Sequence, residues 1–145
     1  MYSAGGDFQD DWFTYDIGYT SGHSITFNND MMKFTVPSGA GSGKLGRRTS
    51  AYTKVLNLSK YNTLEITVQV SNGTINQFGV ANAIEGLGEV DAITYISIPV
   101  SSEFITYTVD ISSVDSGHIY MRVSQGNATS NKGCVANVRE IKLLV

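Results

Sequence analysis

From Thr63 to Val70 the chain reads TLEITVQV, with Leu64, Ile66, Val68 and Val70 on one parity and Glu65, Thr67 and Gln69 on the other. Successive side chains of a strand point to opposite faces, so this stretch is a strand with one face in a core and the other among polar surroundings. The same period of two returns down the chain. It sets Ile96 and Ile98 against Tyr95, aligns Ile105, Tyr107, Val109 and Ile111, and sets Ile119, Met121 and Val123 against an outward His118, Tyr120 and Arg122. In the last run Val138, Ile141, Leu143 and Val145 share a face only if the alternation slips once, which predicts a β-bulge. Further strands are predicted at WFTYDI, SITFN, MMKFTV, NQFGVA and along a segment from about Arg48 to Leu58. Nowhere do apolar residues keep helical spacing beyond a turn or two, so the chain reads as all-β.

The turns carry their own chemistry. Asn72-Gly73 is a strong hairpin signal, although the runs it separates also suit a longer connection. Pro99 ends its strand because proline has no N–H to give a ladder. The segment PSGAGSGKLG, residues 37–46, reads as a loop of small residues. It is not a phosphate cradle. That pattern needs Ser or Thr after the lysine and a helix beyond, whereas Leu45 follows Lys44 and a strand comes next.

At 145 residues and 15.7 kDa, the chain fits one domain spanning 1–145, large enough for a core without staples. Charged residues make up 16%, below the usual quarter or so, and Ser, Thr, Asn and Gly fill the difference, which suits a secreted or virion-borne β protein. A net charge of -3, with Arg47-Arg48 as the one cationic doublet, argues against nucleic acid. Cys134 is the single cysteine, which rules out an internal disulfide or a cysteine-based zinc site and marks a small core residue. No stretch has the ~20 apolar residues of a membrane helix, so no insertion into a membrane is expected. The opening MYSAGGDFQDDWF lacks the basic start and apolar run of a signal peptide, so the protein is expected to leave the cell by lysis or assembly, or to be a piece of a longer chain. The sequons at Asn57, Asn72 and Asn127 are what a chain rich in Asn, Ser and Thr yields by chance.

One phrase is written twice. NLSKYNTLEITV, from Asn57, and DISSVDSGHIYMRV, from Asp110, each begin with a short side-chain acceptor, an aliphatic residue and a serine, and each runs into an alternating strand. Eight or so short antiparallel strands suggest a two-sheet sandwich, immunoglobulin-like or jelly roll, and the Cys-Trp-Cys mark of the former is missing. A jelly roll lettered B to I has sheets B-I-D-G and C-H-E-F. Counting back from the C-terminus makes VREIKLL strand I, HIYMRV H, ITYTVDI G, AITYISI F, QFGVA E, TLEITVQV D and TSAYTKVLNL C. The doubled phrase then falls on the C-to-D and G-to-H crossings between sheets, side by side at one end. Asn57, Ser59, Asp110 and Ser112 suit that place because their side chains bond nearby backbone N–H groups where the ladder stops.

The phrases VLNLSKYNTLEITV and YTVDISSVDSGHIYMRV resemble those of carbohydrate-binding-module-like jelly rolls, domains attached to bacterial glycoside hydrolases and inserted in phage tail and baseplate adhesion proteins. The likeness covers about the last hundred residues. It implies a jelly-roll β-sandwich, a glycan on a bacterial surface as ligand, a virion or extracellular location, and a homo-oligomer or other virion proteins as further partners. The alternative is a virion structural or decoration domain that packs on another subunit and binds no sugar.

On this assignment strands C, H, E and F present Lys54, Tyr120, Arg122, Gln77 and Tyr95 on one outer face, with Tyr52 beside them. Rings flanked by amide and charged donors are what a sugar needs, because its C–H face stacks while its hydroxyls take hydrogen bonds. Trp12 is expected to close one end of the core, or else to anchor ligand from an aromatic-rich loop. No cofactor is expected beyond a structural calcium, for which Asp7, Asp10, Asp11 and Asp16 are the oxygen donors at hand, without EF-hand spacing. For catalysis, His23 and His118 lack motif partners, and Glu85, Glu89 and Asp91 meet only the loosest test for a carboxylate pair. The chain is therefore read as a non-enzyme.

Overall fold

A computed structural model describes residues 12–17, 24–28, 31–35, 47–84, 90–125 and 134–145. One sheet contains β1 (Trp12–Ile17), β4 (Arg47–Asn57), β9 (Ser116–Gln125), β6 (Ile75–Ile84) and β7 (Val90–Ile98), in the order β1-β4-β9-β6-β7. The other contains β2 (Ser24–Asn28), β3 (Met31–Thr35), β10 (Val135–Leu144), β5 (Thr63–Ser71) and β8 (Ile105–Asp110), in the order β2-β3-β10-β5-β8. Every pairing is antiparallel. With β3 to β10 lettered B to I these are the sheets B-I-D-G and C-H-E-F, with β2 and β1 added at their outer edges. The jelly roll is as the strand phases predict.

The core lies between the sheets, and the alternating residues fill it. Leu64, Ile66, Val68 and Val70 of β5, Ile119, Met121 and Val123 of β9, and Val138 and Ile141 of β10 are buried with Met32, Phe34, Phe78 and Val80. The slip in β10 falls between Val138 and Glu140, so Arg139 is the extra residue and its guanidinium lies 3.9 Å over the Phe104 ring. Cys134 is buried in the core, and that burial pushes its thiol up to about 11. Asn72-Gly73 serves the longer connection and not a hairpin, as the assignment of its flanking strands to different sheets requires: β5 and β6 lie in different sheets, and Asn72, at φ 58°, turns the chain from one to the other. One expectation needs correction. Val145 is 90% exposed because the ladder with β5 ends at Leu144, leaving no partner strand to cover it. Asp7, Asp10, Asp11, His23, Glu85, Glu89 and the segment 37–46 lie outside the described residues, as do the side chains of Trp12 and Asp16.

The doubled phrase is a pair of matching joints. Asn57 Oδ1 accepts from the Ser59 amide at 3.1 Å and the Ser59 hydroxyl at 2.7 Å. Asp110 Oδ1 accepts from the Ser112 amide at 2.9 Å and the Ser112 hydroxyl at 2.7 Å. In each, the amide four residues after the acceptor bonds the carbonyl one residue after it: Tyr61 to Leu58 at 3.0 Å, Val114 to Ile111 at 2.9 Å. The joints then bond one another reciprocally, Leu58 N–H to Asp115 O at 2.8 Å and Ile111 N–H to Asn62 O at 2.9 Å. Leu58 and Ile111 are buried at equivalent places, each contributing roughly 1.5–3 kcal/mol of apolar burial. The copies differ in charge. Hydrogen bonds from the Ser112 hydroxyl, then from its amide, hold the Asp110 carboxyl below the usual aspartate range.

Leu58→Ala is expected to cost about 2–5 kcal/mol by urea unfolding, as a cavity in a core that relaxes incompletely. Asn57→Ala, which leaves the core intact and removes the acceptor, is expected to cost about 1 kcal/mol.

Candidate functional site

The outer face of the β1-β4-β9-β6-β7 sheet is set by register. Tyr52 of β4 pairs with Tyr120 of β9, Tyr120 with Gly79 of β6, and Gly79 with Tyr95 of β7. These four residues form one row across the strands, about 14 Å long at the usual strand spacing. In the next row Gln77 pairs with Arg122, and on the other side Ala81 pairs with His118. Gly79 is needed where it stands. A Cβ there would drive into the Thr94 carbonyl and come within 2.7 Å of Tyr95 Cα, so β6 and β7 approach too closely for any side chain.

The rings of the row have different surroundings. Tyr95 is 49% exposed and stands beside Ile93 on β7, the edge strand. Tyr52 is half-buried, its ring edge-on to His118 with centroids 5.8 Å apart. Tyr120 is fully buried, and its hydroxyl donates to Gln77 Oε1 at 2.7 Å. Burial first, then the proximity of Tyr95, push the Tyr120 phenol well above its usual range, against the opposing pull of the Arg122 guanidinium. Tyr120 is therefore a neutral donor at every ordinary pH. With Gln77 Oε1 taken, the amide nitrogen of Gln77 is left to donate.

The expected face is thus assembled, with a correction of kind. Tyr120 and Arg122 lie on the outer side of the sheet, as their parity requires, but both are buried, Arg122 at 8% exposed. Alternation assigns a side chain to a face and says nothing of what covers that face. Tyr120 supports the row from below, and Tyr95 and Tyr52 hold the ring surface that remains open. Lys54 is exposed but stands outside the row. Between Tyr52 and Val55 the register with β9 slips, so Thr53 and Lys54 form a bulge.

That bulge is bonded from within. Buried Thr53 takes the Ile119 N–H on its Oγ1 at 3.0 Å and donates that hydroxyl to Lys54 O at 2.8 Å, while Thr53 O lies 2.6 Å from His118 Nδ1. His118 belongs to no sequence motif and was not among the residues expected to bind ligand. It shares the parity of Tyr120 and Arg122, and that was its one signal in the sequence. Of the acids weighed for catalysis, Asp91 accepts from Asn82 Nδ2 at 3.1 Å. Among the described residues no three metal-ligating side chains come together, and no helix is long and apolar enough to cross a membrane.

Neither a protein-family model nor a curated protein matches the sequence. Solved structures do match in fold. The family 11 carbohydrate-binding module of the cellulosomal cellulase Lic26A-Cel5E of Clostridium thermocellum superposes with a TM-score of 0.59 at 16% identity, over 92% of this chain and 87% of that one. The chain shares the fold of carbohydrate-binding modules. The same Clostridium module in complex with a β-1,3-1,4-mixed-linked tetrasaccharide gives a TM-score of 0.58 at 16% identity, over 92% and 88%. The enzymatically active domain of bacteriophage CBA120 tailspike protein 4 gives 0.52 at 16% identity, and there the likeness spans 92% of this chain but 19% of that one.

Ultraviolet titration of the folded protein is expected to leave at least one of the eight tyrosines un-ionised well above pH 10, and Tyr120→Phe to reduce that resistant class by one. Because the folded-state value is raised, the stability tied to it is complete below about pH 10 and is lost as pH climbs beyond. The Phe variant lacks that part of the alkaline loss. Gly79→Ala is expected to lower stability by about 1–3 kcal/mol in thermal melts, since β6 and β7 must separate to admit the methyl group.

Proposed function

We propose that this chain is a non-catalytic carbohydrate-binding module that takes a glycan of the bacterial surface across the tyrosine row, as part of a phage tail or other virion adhesion protein. The observation that carries the reading is Tyr95, half exposed at the rim of a row that also holds Tyr52, with the Gln77 amide and the Arg122 guanidinium in the adjacent row. An aromatic ring gives the C–H face of a sugar its stacking surface, and amide and guanidinium donors take hydroxyl oxygens. Lys54, on the bulge next to Tyr52, adds a charged donor at the margin. The fold shared with a module solved in complex with a tetrasaccharide supports the ligand class, and the tailspike likeness supports the virion setting.

A second reading has one observation in its favour. Ile93 and Tyr95 are both about half exposed on an edge strand, where a protein surface can add contacts. In that reading the domain decorates a virion and packs on another subunit. Light scattering that shows a stable trimer with Tyr95 protected from modification supports it.

Isothermal titration against bacterial wall polysaccharides and mixed-linkage glucan fragments separates the two. The wild type is expected to bind, and Tyr95→Ala to weaken binding about five- to 150-fold, since a lost ring contact is worth about 1–3 kcal/mol by analogy with stacking on nucleobases. Its melting temperature should stay at the wild-type value. Equal binding by wild type and Tyr95→Ala would remove the tyrosine row from consideration.

A further inference from the structure

His118 makes one hydrogen bond among the described residues, and that bond fixes its chemistry. Thr53 O, 2.6 Å from Nδ1, is a carbonyl oxygen and has no proton to give, so Nδ1 carries the hydrogen and donates. A neutral imidazole has one N–H, and so Nε2 holds a lone pair. The acceptor that enforces this is not free to turn away. Thr53 sits in the β4 bulge, locked by the Ile119 amide on its hydroxyl and by its own bond to Lys54 O. Tyr52 packs edge-on against the ring at an interplanar angle of 85°, which restrains its rotation.

The ring nitrogens of imidazole diverge, so Nε2 points away from the Thr53 carbonyl. The half-buried ring stands on the same face as Tyr120, with only the methyl group of Ala81 opposite it on β6. On the other side of Tyr120 lies Gln77, whose oxygen is occupied and whose amide nitrogen donates. The face therefore has a definite polarity: a donor on one side of the tyrosine row, an acceptor with a fixed tautomer on the other.

We propose that His118 Nε2 is a specificity-determining acceptor of this site, which selects a glycan bearing a free hydroxyl at that end of the row and rejects one capped there as an ether or ester. The inference rests on the glycan-binding reading above and adds to it the sense of one hydrogen bond. A capped oxygen has no proton to offer the lone pair, and the two acceptors repel. A site that hydrogen-bonds a hydroxyl discriminates against the analogue that lacks its proton because its own polar group is left unpaired.

Two measurements test it. The first needs no ligand: long-range ¹H–¹⁵N correlation on ¹⁵N-labelled protein at about pH 8.5, above the ordinary histidine range, is expected to show His118 protonated on Nδ1. An Nε2–H pattern overturns the proposal. The second is calorimetry with the β-1,3-1,4-mixed-linked tetrasaccharide and with wall polysaccharides before and after O-methylation, on wild type, His118→Asn and His118→Gln. Asn keeps an N–H near the Nδ1 position and lacks Nε2, whereas Gln places an amide oxygen near Nε2. The expected result is about tenfold weaker binding by His118→Asn, recovery of most of that loss by His118→Gln, and a similar loss on methylation for the wild type. Melting temperatures should be alike in all three. If His118→Asn binds as the wild type does, or His118→Gln is as weak as His118→Asn, the proposal falls while the tyrosine row stands. If the wild type binds no glycan in the panel, the glycan reading falls and takes the selective role with it.

Discussion

The reciprocal pair of hydrogen bonds between the two sheet crossings, Leu58 to Asp115 and Ile111 to Asn62, is the constraint on which this sandwich depends. It joins the C-terminal end of β4 to the start of β9 and the start of β5 to the end of β8, so one local motif, used twice, aligns a pair of strands in each sheet. A one-residue slip at either joint would send every side chain of a strand to the wrong face. The acceptor and serine of each copy keep the joint closed with short-range bonds, while the buried aliphatic residue next to the acceptor ties it to the core. From that anchor, the Tyr52–Tyr120–Gly79–Tyr95 row follows as a matter of counting along ladders.

Counting alone does not make a site. The row becomes one because its members differ: a glycine that lets β6 and β7 close up, a buried phenol that holds an amide by its oxygen, and an edge tyrosine whose ring is half open. The bulge at Thr53 and Lys54 contributes in two ways. It removes Lys54 from the row, and it turns a backbone carbonyl onto His118. Bulges commonly re-aim side chains beside functional sites. Here the re-aimed group is a peptide oxygen.

Much of this was legible in the residues. Alternation in TLEITVQV and HIYMRV placed the core, and the doubled phrase identified the crossings and with them the order of both sheets. Tyr52, Gln77, Tyr95, Tyr120 and Arg122 share one face by register. What the sequence did not reveal has a common physical origin, since period two records which face a side chain takes and not how deep that face lies. Hence the burial of Tyr120 and Arg122 was missed. The bulge in β4 has no compositional mark, so Lys54 was grouped with the outer-face residues without its offset from their register, and the contact between His118 and Thr53, sixty-five residues apart, went unseen. Asn72-Gly73 by itself signals a reversal equally well within a sheet or between sheets, and the lettering that puts its flanking strands D and E in different sheets decides between them, as the pairing of β5 with β10 and β8 shows.

The crossings also govern the order in which the molecule can be made. Among the described strands, neighbours in sequence pair only as β2 with β3 and β6 with β7, while β4 waits for β9 and β5 for β8 and β10. The bonds between the joints link residues roughly fifty positions apart, a loop whose closure entropy must be met before either joint holds. On a ribosome, the long edge of β4 and the apolar face of β5 therefore emerge well before the strands that complete them. On that waiting strand the polar alternates Glu65, Thr67 and Gln69 face away from the core, and their partners Lys142, Thr106, Ser101 and Asn137 are all made later in the chain.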